Sequence, residues 1–184
     1  MAVTVLFVKL LIPDLLFTTG EAAVVGLLQV YFHVHFGIGI GVLGVLITAS
    51  GLIGGATSLS APYFERRWGR LRMATTMQYL SAPLMLVIGL SPIYPLAATA
   101  EFGRQILRGL FEPVYAAFAM GRVSARNRAT LSGFYSLTWS LGFSIGPISA
   151  GFLLKYVGSS TAFVLGAACL VASATLLRVF FPKE

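Results

Sequence analysis

Between positions 94 and 120 the chain places Glu101, Arg104, Arg108 and Glu112 inside an otherwise apolar run. At about 100° per residue these four charges fall within roughly an 80° arc of a helix, which Gln105 and Tyr115 widen only slightly. The opposite surface is mainly Ala, Phe, Leu, Ile and Val. Composition identifies the solvent for such a run. The 184 residues are 57% hydrophobic and 10% charged, with mean hydropathy +0.87. A soluble domain carries about 25% charged residues, so the solvent here is lipid. An ionised side chain at mid-bilayer costs on the order of 3 kcal/mol on insertion scales. The four charges must therefore face other helices or a wet cavity, and the rest of the chain must wall them in.

A spanning helix takes about 20 residues. The apolar runs predict six spans, over 10–35, 39–64, 72–90, 94–120, 129–156 and 160–181. These runs are too long and too uniform for barrel strands, which leaves helices as the structure that satisfies its own backbone in lipid. The expected fold is an all-α membrane protein, one six-helix domain over 1–184. Lys9 interrupts the first run, which extends well past a signal-peptide core, so we expect a retained span with Lys9 snorkelling to the surface.

The basic residues are unevenly placed. Arg66, Arg67, Arg70 and Arg72 join the second and third spans, and Arg122, Arg126 and Arg128 join the fourth and fifth. Lys9, Arg178 and Lys183 flank the ends on that same side, against Lys155 alone on the other. This bias sets both termini in the cytoplasm, with the bundle in the cell membrane. It also accounts for the net charge of +7 without nucleic acid, for which there is no aromatic-interleaved basic module. Tyr63 and Trp68 suit interfacial anchors. The lone Cys169 gives no disulfide framework or metal cluster.

Four of the six acids, Asp14, Glu21, Glu101 and Glu112, fall inside spans. In the first span Asp14, Thr18, Glu21 and Gln29 share an arc of roughly 80°. Arg104 and Arg108 either line an aqueous cavity or form an ion ladder with Glu101 at i, i+3 and Glu112 at i, i+4. A dry pair carries a large desolvation penalty, which favours the cavity. Glu21 either carries a proton or hydrogen-bonds a neighbouring span. Asp14 reads as a gate or interface residue, and Gln29 as polar lining. Trp139 either stacks on a ligand or packs. His33 and His35 sit at one membrane surface without further metal ligands. The fifth span has a serine ladder at Ser132, Ser136, Ser140 and Ser144. Its other face carries Gly142 and Gly146, a spacing suited to close helix contact, as do Gly37 with Gly41 and Gly51 with Gly55 in the second. The third and sixth spans carry no intramembrane charge and read as outer, lipid-facing helices. Spans one and four, both polar-striped, open the two triplets 1–91 and 92–184, as an internal 3+3 repeat would.

The residues joining the second and third spans, Pro62 to Arg72, read PYFERRWGRLR. They resemble the G-x-x-x-D-R-x-G-R-R loop of major facilitator superfamily transporters, with Arg67, Gly69 and Arg70 matching. The family Gly position holds Pro62 and the Asp position Arg66, with Glu65 one residue early. The fifth span fills every fixed place of that family's G-x8-G-x3-G-P-x-x-[AG]-G motif with Gly133, Gly142, Gly146, Pro147, Ala150 and Gly151. Residues 113–118 and 128–139 look like the second half of efflux-type members. Over nearly its whole length the chain is similar to one six-helix half of such a transporter.

That resemblance implies a 3+3 inverted-repeat bundle. It implies a secondary active transporter moving a small molecule by alternating access, coupled to protons in the direction of efflux. The cavity residues would be Glu21, Gln29, Glu101, Arg104, Arg108, Glu112, Ser136 and Trp139. The gating and bending residues would be Glu65, Arg67, Gly69, Arg70, Gly142, Gly146 and Pro147. A second six-helix half would come from the same chain in full-length form, another copy or another chain. No cofactor is expected, since no G-x-x-x-x-G-K-[ST] occurs. Neither an enzyme constellation nor a selectivity filter is present. The alternative is a non-transporting membrane scaffold or regulatory half, or an orphan fragment of a twelve-helix transporter.

Overall fold

The structure, a computed structural model, describes residues 3–158 and 160–182. Lys183, counted above among the basic residues, lies outside the described residues. The described chain is helical nearly throughout: α1 (Val3–Phe36), α2 (Ile40–Ser58), α3 (Ala61–Trp68), α4 (Arg70–Leu90), α5 (Tyr94–Gly121), α6 (Ala125–Tyr156) and α7 (Thr161–Phe180). Five of these, α1, α2, α4, α6 and α7, are long and apolar enough to cross a membrane. The 28 residues of α5 are also long enough, at about 42 Å with a 1.5 Å rise per residue, but this helix carries the four charges.

The second run ends earlier than expected. The apolar run predicts a span to residue 64, but α2 stops at Ser58 and the eight-residue α3 follows after a turn. Pro62 is the cause. It has no N–H to offer the Ser58 carbonyl, and its ring crowds that carbonyl. At the start of a new helix the missing N–H is harmless. Gly69 then reverses the chain into α4 at φ 79, a conformation open to glycine and strained for other residues.

Helix α1 packs against α6 and α7, α5 packs against α2 and α4, and α4 packs against α7. Exchanging α1, α2 and α4 for α5, α6 and α7 turns this set of neighbours into itself. The apolar core follows these contacts, with Leu10, Phe32, Met73, Met85, Ile88, Val114, Phe163, Leu170 and Leu177 almost wholly enclosed.

Within this chain α4 and α7, uncharged along their spans, are well buried against other helices, and α2 and α6 show the most surface. Small and hydroxyl residues satisfy one another between the buried helices. Gln78 of α4 donates to Ser173 of α7 at 3.1 Å, and Ser173 donates to the Pro13 carbonyl of α1 at 2.7 Å. The serine ladder of α6 is exposed. Ser136, Ser140 and Ser144 each donate to the carbonyl four residues back, at 3.3, 2.9 and 2.8 Å.

Glycines set the closest approaches. A Cβ on Gly142 would overlap Thr18, and one on Gly146 would meet the Thr19 carbonyl and Ala23 nitrogen at 2.7 Å. Pro147 rests on Gly26, so α6 is pressed onto α1 along Gly142, Gly146 and Pro147. The expected pairs Gly37–Gly41, whose first member precedes α2, and Gly51–Gly55 within it meet nothing within 4 Å. The contact is made one face away, where Gly54 meets Gly109 of α5 backbone to backbone.

Candidate functional site

The charged arc of α5 is turned toward α1, and the two helices together hold one continuous ionic row. Arg104 is 0% exposed. Its Nε and Nη2 donate to the two oxygens of Glu101, each at 2.8 Å, a bidentate grip within one turn. Its Nη1 donates across the helix interface to Glu21 of α1. Glu21 and Glu101 are each 1% exposed. Gln105 Nε2 donates to Glu101 Oε1 at 3.0 Å, completing the inner end of the row.

The row then opens outward. Arg108 Nη1 lies 3.8 Å from the same Glu21 oxygen, and its Nε donates to Glu112 at 2.8 Å. Side-chain exposure rises from nil at Arg104 to 18% at Arg108 and 42% at Glu112. The Arg108 guanidinium also lies 5.6 Å from the Trp139 ring of α6, a cation–π contact. Glu101, Arg104, Glu21, Arg108, Glu112 and Trp139 are thus brought into one file.

Asp14 stands beside this file but outside its pairing. Its carboxylate accepts a hydrogen bond from Thr138 of α6 and has no ion pair among the described residues. Thr18 donates to the Thr138 carbonyl at 3.2 Å, so α1 and α6 are cross-linked twice here. A cavity of about 210 Å³ opens on Asp14, walled by Phe17, Phe111, Tyr115, Tyr135 and Trp139, with Glu112 at its edge. Tyr115 spends its hydroxyl on the Leu10 carbonyl at 2.6 Å. The Tyr135 ring meets Tyr115 edge-on, with centroids 6.0 Å apart, and its enclosed hydroxyl lies beside that of Tyr115.

Two residues assigned to the cavity lie apart from it. Gln29 is exposed and, with His33, Ile40, Leu43 and Ile47, borders a separate cavity of about 300 Å³ between α1 and α2. Ser136 belongs to the exposed ladder. Thr138 and Tyr135 were not singled out from sequence. Thr138 joins Asp14 and Thr18, more than 100 positions away, and Tyr135 meets Tyr115 of the neighbouring helix, which no spacing rule within one helix reports. The histidines sit at a helix end, where His33 Nδ1 is 2.8 Å from the Ile38 carbonyl and His35 stacks on Tyr31. Among the described residues no three His, Cys, Asp or Glu side chains lie close enough to hold a metal ion.

The α3–α4 corner carries its own ion pair. Arg70 Nε donates to Glu65 at 2.6 Å, and Nη1 reaches the Ala117 carbonyl of α5 at 3.5 Å. The acid one place early in the loop motif therefore still meets the motif arginine. Gly69 and Arg70 border a cavity of about 350 Å³ with Arg72, Phe118 and Arg122, while Arg67 is exposed on α3.

Long apolar helices packed around an ionised row define an integral membrane protein of the transport class. The chain belongs to the Major Facilitator Superfamily, whose family description it matches over residues 14–184, all but the first 13 positions. No curated protein matches it. Members of this family are transporters that move small molecules across membranes, rather than enzymes, and the chain is a transporter of that type.

Proposed function

We propose that the chain is one six-helix half of a secondary active transporter that exports a small molecule in exchange for protons. Residues 1–184 form its single domain, with inverted repeats over 1–91 and 92–184. The exchange of neighbours between α1, α2, α4 and α5, α6, α7 supports that repeat. Helix α5 counts as the sixth span because its charges face α1 and not lipid. The exposed faces of α2 and α6, including Ser136, would meet the second half. Arginines at the α3–α4 corner and the α5–α6 turn favour a cytoplasmic position for that end and for both termini, in the cell membrane.

The observation that carries this reading is Arg104, fully enclosed between Glu21 and Glu101 and continuous with the more open Arg108 and Glu112. A guanidinium at that depth is expensive to hold unless it serves a passage. Glu21 is the counter-charge shared by Arg104 and Arg108, so a proton on Glu21 removes the charge that links α1 to α5. The two helices can then part, which is the local event that rocking of one repeat against the other requires.

The test uses the complete transporter in sealed vesicles loaded with a pH-sensitive dye. Solutes of each charge class are supplied, and proton movement is followed. Glu21→Gln should abolish solute-driven proton movement, and Arg108→Ala should reduce it severalfold. Unchanged coupling in both variants would remove the assignment.

A further inference from the structure

The carboxylates and guanidiniums at membrane depth do not balance. Asp14, Glu21, Glu101 and Glu112 are four acids, and Arg104 and Arg108 are two bases, a formal excess of two negative charges. Lys9, the lysine of α1, lies 5.6 Å from the Phe180 ring at the end of the bundle, His33 and His35 are in the last turn of α1, and α6 brings no charge to the cavity. Ion pairing satisfies Glu21, Glu101 and Glu112, each bonded to a guanidinium. Asp14, 8% exposed, is the acid left without one.

What surrounds Asp14 narrows the missing partner. Five aromatic residues wall the cavity, on α1, α5 and α6. Phe17 and Phe111 lie 4.2 Å apart, and Phe111 stacks on Tyr115 at 5.2 Å, so the rings form a joined wall. A hard metal ion wants about six oxygen ligands, and rings offer none. Aromatic faces attract quaternary and alkylated ammonium groups, most strongly where water is excluded. Arg108 against Trp139 shows that this ring already accepts a cation. At about 210 Å³ the space is below the roughly 300 Å³ of drug-sized sites. It suits a small ammonium ion or the ammonium end of a longer molecule.

We propose that the Asp14 cavity is a binding subsite for a small organic monocation, held by the Asp14 carboxylate and the surrounding rings. The inference names a substrate class for the transport reading and rests on it. The chain has two tryptophans, Trp68 and Trp139, and the second lines the cavity. In a Trp68→Phe background, the full chain in lipid nanodiscs reports the cavity by indole fluorescence. Choline is titrated against its uncharged carbon analogue, 3,3-dimethylbutanol. Choline should give a saturable change, at least about tenfold tighter than the alcohol, as a charge plus cation–π difference allows. Asp14→Asn should lose that preference and Asp14→Glu should keep it. An equal response to both compounds overturns the proposal, and this arm needs no change at the site. Choline discrimination lost while proton coupling through Glu21 persists sinks this subsite alone. Choline discrimination retained while Glu21→Gln leaves coupling intact sinks the coupling assignment alone.

Discussion

Arg104 of α5 and Glu21 of α1, 83 positions apart, share a hydrogen bond in a place from which solvent is excluded. Such a bridge is fragile to the loss of one member, because the partners stay behind as uncompensated charges. Arg104→Gln leaves Glu101 in that condition and Glu21 with Arg108 alone, at 3.8 Å. Unfolding in mixed micelles should show a loss of about 3–5 kcal/mol. Converting Glu21 and Glu101 to Gln as well should return most of it, since a neutral row of similar shape carries no desolvation penalty. A loss under about 1 kcal/mol for Arg104→Gln would mean that water reaches these carboxylates.

The contact of Gly54 with Gly109 gives a second test. A Cβ on Gly109 would overlap the Gly54 carbonyl, and backbone cannot rotate away as a side chain can. Gly109→Ala should force α2 and α5 apart at about 1–3 kcal/mol, the usual range for overpacking. Gly55→Ala, one residue from the contact but facing open space, should be neutral or slightly stabilising. Equal effects in the two variants, read by the same unfolding assay, would show that the helices do not meet here.

Those glycines also show where sequence legibility ends. The apolar runs were readable as spans because length and hydropathy report the solvent directly. The ionic row was half readable: the arcs of α1 and α5 follow from helical spacing, and so does the Arg108–Glu112 pair. That Arg104 reaches Glu21 depends on how α1 and α5 pack. Gly51 and Gly55 have the spacing for close contact, but spacing does not choose a face, and Gly54 made it. The break at Pro62 is legible, since a proline there works against a continuous helix to residue 64 even where the apolar run continues. Asp14 with Thr138 was beyond reach, because it joins α1 to α6 across 124 positions.

Thr138→Val keeps the shape of α6 and removes the hydroxyl donated to Asp14. The buried carboxylate then loses the hydrogen bond it accepts, which should cost about 1–3 kcal/mol. Asp14→Asn alone should cost less, because an amide there needs no counter-charge. The double variant should fall short of the sum, as expected for residues in direct contact. Additive losses would place Asp14 and Thr138 in separate environments.

The corner pair Glu65–Arg70 should behave in the opposite way, with a small effect on stability and a large one on transport. Its side chains are 19% and 48% exposed, and exposed ion pairs contribute less than about 1 kcal/mol. Yet Glu65 aims Arg70 across to the Ala117 carbonyl, so the pair ties the α3–α4 corner to the end of α5. If, as proposed, the two repeats rock against each other, a tie at this corner has to break and remake and so needs to be weak. Glu65→Gln should leave the unfolding free energy within about 1 kcal/mol of the parent and change flux severalfold. Arg70→Gln should reproduce that change, and the double variant should add nothing, because either substitution already releases the tie. Flux effects that add in the double variant would mean the two residues act on different steps.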